Sequence, residues 1–143
     1  MTGLLAAPLT AQIILCDAAQ SDAATGKVHM LGAGWSTTGS PTQHAVVVLI
    51  KVPWDRANQK LPLQLVLRDA DGRPVAFDTP AGRSEVRGSG EIEVGRPLGL
   101  VPGSMLDASF ALNVAPLPLP PGRYEWHLTL ADLQSGATFT VRS

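Results

Sequence analysis

Apolar and polar side chains alternate along several short segments of the chain, whereas no ten-residue segment carries apolar residues at the spacing of an amphipathic helix. The clearest alternation runs through residues 105–114. One side of this segment carries Leu106, Ala108, Phe110, Leu112 and Val114, and the other carries Asp107, Ser109 and Asn113. A period of two predicts β-strands with one buried face, so the chain is expected to be all-β.

The turns between these segments follow from residue type. The 12 Pro and 14 Gly residues cluster between the alternating segments, as chains of many short strands require. Residues 17–26 are predicted to be a polar turn, and Gly88 and Gly90 are predicted to let the strand at 84–94 bend. Gly136 is predicted to turn the chain into a last strand at 138–142.

Segment 45–52 is a nearly unbroken run of apolar, mostly β-branched residues. Both faces of such a strand must be covered, so it is either the central strand or an interface. About eight or nine antiparallel strands predict one β-sandwich domain over residues 1–143. Leu119, Gly122 and Tyr124 resemble the tyrosine corner of immunoglobulin-like domains, which makes an immunoglobulin-like sandwich the expected type.

Charge and cysteine content limit the partners and the compartment. The 11 basic and 12 acidic residues are scattered and give a net charge of -1, so no nucleic acid is expected to bind. The single Cys16 forms no internal disulfide, which favours a cytoplasmic location. No basic residue precedes the apolar stretch at 3–16, and Pro8 and Gln12 interrupt it, so no leader is expected. Nowhere do eighteen apolar residues follow one another, so no membrane span is expected.

No pattern for catalysis, a cofactor or a metal is complete. Asp69 and Asp71 precede Gly72 like half of a calcium loop, but Asp-Gly between alternating strands is typical of a hairpin turn. Cys16 ends an apolar strand and is expected to be inert packing. Three histidines are isolated from one another, and one Gly-Ser-Gly sequence lacks the spacing of a nucleophile elbow. The three histidines are His29, His44 and His127, and the Gly-Ser-Gly sequence is at residues 88–90. We expect no enzyme.

Two segments are candidates for binding a partner. Trp54 and Arg56 follow the most apolar strand, and both residue types are enriched in binding hot spots, although Trp54 could equally belong to the core. Leu98, Leu100 and Val101 lie in a loop at residues 96–103. A loop this apolar either plugs one end of the sandwich or contacts a partner.

Several motifs along the chain resemble a known family. They are Ile-Leu-Cys-Asp at 14–17, Gly-Lys-Val-His-Met-Leu-Gly at 26–32, the long apolar strand, the Asp-x-Asp-Gly hairpin and the final Pro-Gly-x-Tyr strand. Over about residues 11–141 the chain is similar to an uncharacterised bacterial, mostly actinobacterial, family of small β-sandwich domains of unknown function. The resemblance implies a sandwich and brings no catalytic residues.

These observations predict a non-enzymatic module for protein interaction or assembly, either a homo-oligomer or an accessory subunit of a larger complex. The alternative is a small-ligand-binding protein or an enzyme with a pocket at one end of the sandwich. Trp35, Trp54, Trp126 and a histidine would build that pocket.

Overall fold

The computed structural model describes residues 7–143, which form twelve β-strands and one short 3-10 helix. The strands are β1 Thr10–Cys16, β2 Ala18–Ser21, β3 Val28–Leu31, β4 Thr37–Thr38, β5 Thr42–Val52, β6 Leu61–Arg68, β7 Ala76–Thr79, β8 Gly82–Glu85, β9 Arg87–Ile92, β10 Leu106–Leu117, β11 Gly122–Leu130 and β12 Leu133–Val141. The helix covers Trp54–Arg56. The expected all-β class is confirmed, with more strands than the eight or nine predicted.

Two larger sheets pack face to face. One has the strand order β1-β5-β10 and the other has the order β4-β12-β11-β6-β9. Neighbouring strands are antiparallel except for β4 and β12, which are parallel. Side chains of both sheets share one core, in which Val48 and Ile50 meet Leu65, Trp126 and Phe139. Burial of this apolar surface is the main force that holds the sheets together.

Strand β5 is covered on both faces, as its composition predicts. Val48 and Ile50 face the five-stranded sheet, while Ala45 and Val47 face a separate ribbon formed by β2 and β3. Cys16 is buried in this second cluster. Since β5 also pairs with β1 and β10, it is the central strand of its sheet.

The β2–β3 ribbon is held on the sheet by β10. The Asn113 amide donates from Nδ2 to Ala19 O at 2.9 Å, and its Oδ1 accepts from Ala19 N at 3.1 Å. At the other end of the ribbon, Ser109 Oγ donates to Gly26 O at 3.0 Å. The polar turn predicted at 17–26 is therefore confined to residues 22–26, where Gly26 N donates to Asp22 O. Its first half is strand β2, because pairing with β3 and contact with Asn113 stabilise a strand there.

The turn predicted at Gly136 is also wrong. Gly136 lies inside β12 opposite His127, and a β-carbon there would overlap the Glu125 side chain. The hairpin between β11 and β12 instead turns at residues 131–132, where Ala131 has a φ of 51°. Alanine carries no sequence signal for this left-handed conformation.

Gly88 and Gly90 allow close packing. A β-carbon on Gly88 would lie 2.8 Å from Leu112 Cδ2, and one on Gly90 would lie 2.9 Å from Phe110 Cε1. The two glycines let β9 approach β10 at one side of the packed sheets. The predicted strand at 84–94 is divided at Val86, which bonds to β6 and to Val75, into β8 and β9.

Candidate functional site

Trp54 lies at the end of β5 beside the chain segment that follows β9. Its ring packs against the core, and its carbonyl oxygen accepts hydrogen bonds from Arg96 Nε at 3.2 Å and from Arg96 Nη2 at 2.6 Å. The Arg96 guanidinium carbon also lies 4.6 Å from the centroid of the Trp54 ring, a distance typical of a cation–π contact. Arg96 therefore fastens the start of the 96–103 loop to the end of β5.

Asn58 holds the same region at a second point. Its backbone N–H donates to Val94 O at 2.7 Å. Asn58 has a φ of 61°, a left-handed conformation that asparagine adopts more readily than most residues. The base of the 96–103 loop is thus bonded to the segment after β5 on both sides of Gly95.

Two consecutive turns shape the 96–103 loop. In each, the N–H of the fourth residue donates to the carbonyl oxygen of the first, Leu100 to Pro97 at 3.4 Å and Ser104 to Val101 at 3.1 Å. The third residue of each turn is a glycine with positive φ, 87° in the first and 91° in the second, as type II turns require. The loop is therefore ordered by its own turns.

The turns direct the apolar side chains of the loop into solvent. Leu98 is fully exposed, Val101 is 72% exposed and Leu100 is 39% exposed. Leu98 and Val101 therefore do not plug an end of the core, which was one of the two interpretations that the sequence left open. An ordered loop that presents apolar side chains is typical of a contact surface.

Arg56 contacts the turn between β11 and β12, and not the 96–103 loop. Its Nη1 donates to Asp132 Oδ1 at 2.8 Å, in the turn between β11 and β12. This hydrogen bond, more than the charge of the guanidinium, lowers the pKa of Asp132. Of the five candidate residues, Trp54 is linked to the loop of Leu98, Leu100 and Val101, whereas Arg56 is engaged with the β11–β12 turn.

A second group of candidate residues surrounds His44. The indole Nε1 of Trp126 donates to His44 Nε2 at 2.9 Å, and His44 Nδ1 lies 3.4 Å from Thr42 Oγ1. The Trp35 and His44 rings meet edge to face with centroids 5.7 Å apart. The structure thus brings together Trp35, Trp126 and a histidine, as the ligand-pocket hypothesis requires, but places Trp54 elsewhere.

His44 and Trp126 are themselves fully buried. Burial lowers the pKa of His44 to about 4, and a hydrogen bond with the Thr42 backbone only partly opposes it. The ring is therefore neutral near pH 7. Because Nε2 accepts the indole proton, the imidazole proton is on Nδ1. These two residues are part of the core.

Trp35 differs from them because it borders an open groove. Among residues 7–143, no hydrogen-bond acceptor reaches its buried indole Nε1. The groove has a volume of about 530 Å³ and lies between β1 and β12. Its lining is mainly apolar and includes Ile13, Leu15, Met30 and Ala137.

The remaining motifs have structural roles. Asp69 Oδ1 accepts from Asp71 N at 2.9 Å and from Arg73 N at 3.0 Å, which stabilises the predicted hairpin turn. Burial, and then the charge of Asp17, raises the pKa of the Cys16 thiol, which makes it a weak nucleophile. Within residues 7–143, no three His, Cys, Asp or Glu side chains are grouped closely enough to hold a metal ion.

The sequence carries little signal for two residues of the site. Arg96 contacts Trp54 across 42 positions of the chain, and Asn58 contacts Val94. An arginine beside an apolar loop is the one local hint for Arg96.

Among residues 7–143, no helix is long and apolar enough to cross a membrane.

Comparison with known proteins agrees with the resemblance noted in the motifs. No curated protein matches the chain. The model of DUF6941, a family of unknown function, matches residues 11–142. This match covers nearly all of both packed sheets, the β2–β3 ribbon and the 96–103 loop. The chain therefore belongs to DUF6941, a family whose function is unknown.

Proposed function

We propose that the protein is a non-enzymatic interaction module, which binds a protein partner through the 96–103 loop and serves in a homo-oligomer or as an accessory subunit. The observation that carries this proposal is the exposure of Leu98 and Val101 on an ordered loop. Full burial of one such side chain contributes roughly 1.5–3 kcal/mol. A partner that covers the loop would therefore gain several kcal/mol.

The base of the loop supports this interpretation. Arg96 is bonded to Trp54 and Asn58 is bonded to Val94, so little conformational entropy is left to lose when a partner binds. Trp54 acts here as a support for the loop, since its ring packs against the core and its carbonyl oxygen is used by Arg96.

The type of sandwich and the cellular location of the protein are part of the same proposal. The protein is a single immunoglobulin-like sandwich, which the bond from Tyr124 OH to Pro120 O at 2.6 Å supports, since a tyrosine corner makes such a bond. A single buried Cys16 favours the cytoplasm. A mostly actinobacterial distribution of the family stays a prediction.

The test is gentle affinity purification of the native protein from its host, followed by mass spectrometry with stoichiometry. The wild type should recover a partner at constant ratio, and Leu98→Ser with Val101→Ser should lose it. Leu31→Ser is the matched control, because Leu31 is 71% exposed but lies in β3. Recovery of the same partner by the loop variant would contradict the proposal.

A second candidate function is the binding of a small apolar ligand in the groove beside Trp35. The observation that favours it is the groove itself, of about 530 Å³, in which Trp35, Ile13, Leu15 and Met30 offer apolar side chains to a ligand. Titration with a fragment library, monitored through the NMR signals of the tryptophan indole N–H groups, tests this function. Binding that Trp35→Phe abolishes would support it, and a Trp35 signal unchanged by every fragment would exclude it.

A further inference from the structure

Among residues 7–143, no strand pairs with one of the two edges of β10. Strand β10 pairs with β5 along its other edge, without interruption from Leu106 to Val114, and the register is irregular only after Val114. The free edge is therefore a long, regular row of backbone donors and acceptors. Such an edge is a template for pairing with another strand.

The edge of β10 also lacks the features that normally block such pairing. No charged residue and no proline occurs between Ala108 and Ala115, although charges, prolines and bulges are the usual protection of edge strands. The other edges of the two large sheets differ. Strand β9 carries Arg87 and Glu91, β4 has two residues, and β1 is partly occupied where Gly34 N donates to Leu15 O.

We propose that two copies of the chain pair antiparallel along β10, with Phe110 opposite its own copy, to form one continuous six-stranded sheet. Phe110 is the midpoint of the uninterrupted stretch Leu106 to Val114. This register sets Ala108 opposite Leu112 and Asp107 opposite Asn113. The one charged residue of the strand thus faces a neutral amide, and no like charges meet.

The same arrangement brings the end of the 96–103 loop close to the other copy. The loop leads directly into β10, and antiparallel pairing sets the start of one β10 beside the end of the other. The last residue of the loop, Gly103, then lies near Leu117 of the other copy. This inference rests on the proposed function, in which the loop is a contact surface, and names a second copy as its partner.

The test compares sedimentation equilibrium of the wild type with two lysine variants. Ser109→Lys adds a charge at a partly buried position of β10, where the two new lysines would be diagonal neighbours across the pair. Thr140→Lys is the control for the added charge, because Thr140 is exposed in β12, which is paired on both sides. Ser109→Ala is the control for the bond from Ser109 Oγ to Gly26 O, which the lysine variant also loses. The wild type and the controls should have twice the 15.0 kDa chain mass, and Ser109→Lys should weaken association roughly two- to fivefold.

Hydrogen exchange of the wild type gives a second readout that needs no variant. The β10 amides should exchange more slowly as protein concentration rises, while those of β12 should not change. A monomer at all concentrations, with concentration-independent β10 exchange, would overturn the inference. If a host protein still binds such a monomer through Leu98, the proposed function stands and only the choice of a second copy fails.

Discussion

The indole of Trp126 donates to Nε2 of His44 at 2.9 Å in the centre of the core. This bond joins β5 of the three-stranded sheet to β11 of the five-stranded sheet. Both residues are fully buried, so each polar group satisfies the other where no water reaches them. The bond therefore fixes the relative position of the two sheets.

The neutral state of His44 makes stability depend on pH. Its pKa is about 4 in the folded protein and about 6.5 when the chain is unfolded. Only the unfolded state binds this proton between those values, so stability is complete above pH 6.5 and falls as pH drops towards 4. We expect His44 to account for a loss of about 2.5 kcal/mol between pH 7.5 and pH 4.5.

Urea unfolding at the two pH values, followed by tryptophan fluorescence, checks this contribution. His44→Gln should reduce the difference between the two free energies of unfolding. His29→Gln is the control, because His29 is exposed on β3 and should leave the difference unchanged. An equal pH dependence in wild type and His44→Gln would show that His44 does not couple folding to protonation.

Loss of the Trp126 hydrogen bond should lower the free energy of unfolding more than replacement of a tryptophan whose N–H is not hydrogen-bonded. Trp126→Phe leaves His44 Nε2 buried without a donor, whereas Trp35→Phe removes an N–H that has no acceptor among residues 7–143. We expect Trp126→Phe to lower the free energy of unfolding by about 2 kcal/mol more than Trp35→Phe. Equal losses, measured by urea unfolding, would contradict a stabilising role for the bond.

The bond between Tyr124 OH and Pro120 O ties the connection before β11 to the core. Tyr124→Phe keeps the ring, which stacks on Phe139 with centroids 5.7 Å apart, and removes only the hydroxyl. We expect a loss of about 1 kcal/mol and faster amide exchange at Gly122. A variant as stable as the wild type, with unchanged exchange, would remove the main support for a tyrosine corner.

Asn113 should determine how firmly the β2–β3 ribbon is attached. Asn113→Ala removes both bonds to the Ala19 backbone, and we expect a loss of about 1–2 kcal/mol. Exchange of the Ala19 amide should accelerate. Ser109→Ala is the control, because Ser109 bonds to Gly26 at the other end of the ribbon and should leave the Ala19 amide protected.

The parts of the fold that residue patterns predict are those in which local alternation decides burial. Leu106 and Val114 face the core while Asp107 and Asn113 point away, as their spacing indicates. Strand β2 was missed because its polar, alanine-rich sequence becomes a strand only through β3 and Asn113. The turn at Ala131 was missed because it uses an unfavourable backbone conformation in place of a glycine.

The residues of the candidate site could be predicted from the sequence, but the contacts between them could not. Leu98, Leu100 and Val101 stand out because they are apolar in a segment rich in Pro and Gly. Their attachment through Arg96 and Trp54 depends on a contact between distant parts of the chain, which no local pattern encodes. Arg56 shares a helical turn with Trp54, yet its side chain reaches Asp132 instead.

Binding through the 96–103 loop is tested by covalent carbene footprinting of the protein in intact host cells and after purification at high dilution. Leu98 and Val101 should be labelled strongly in the dilute pure protein and be protected in cells, because a partner covers the loop. Leu31, which is 71% exposed, should be labelled equally in both. Equal labelling of Leu98 and Val101 in cells and in dilute solution would contradict binding through this loop.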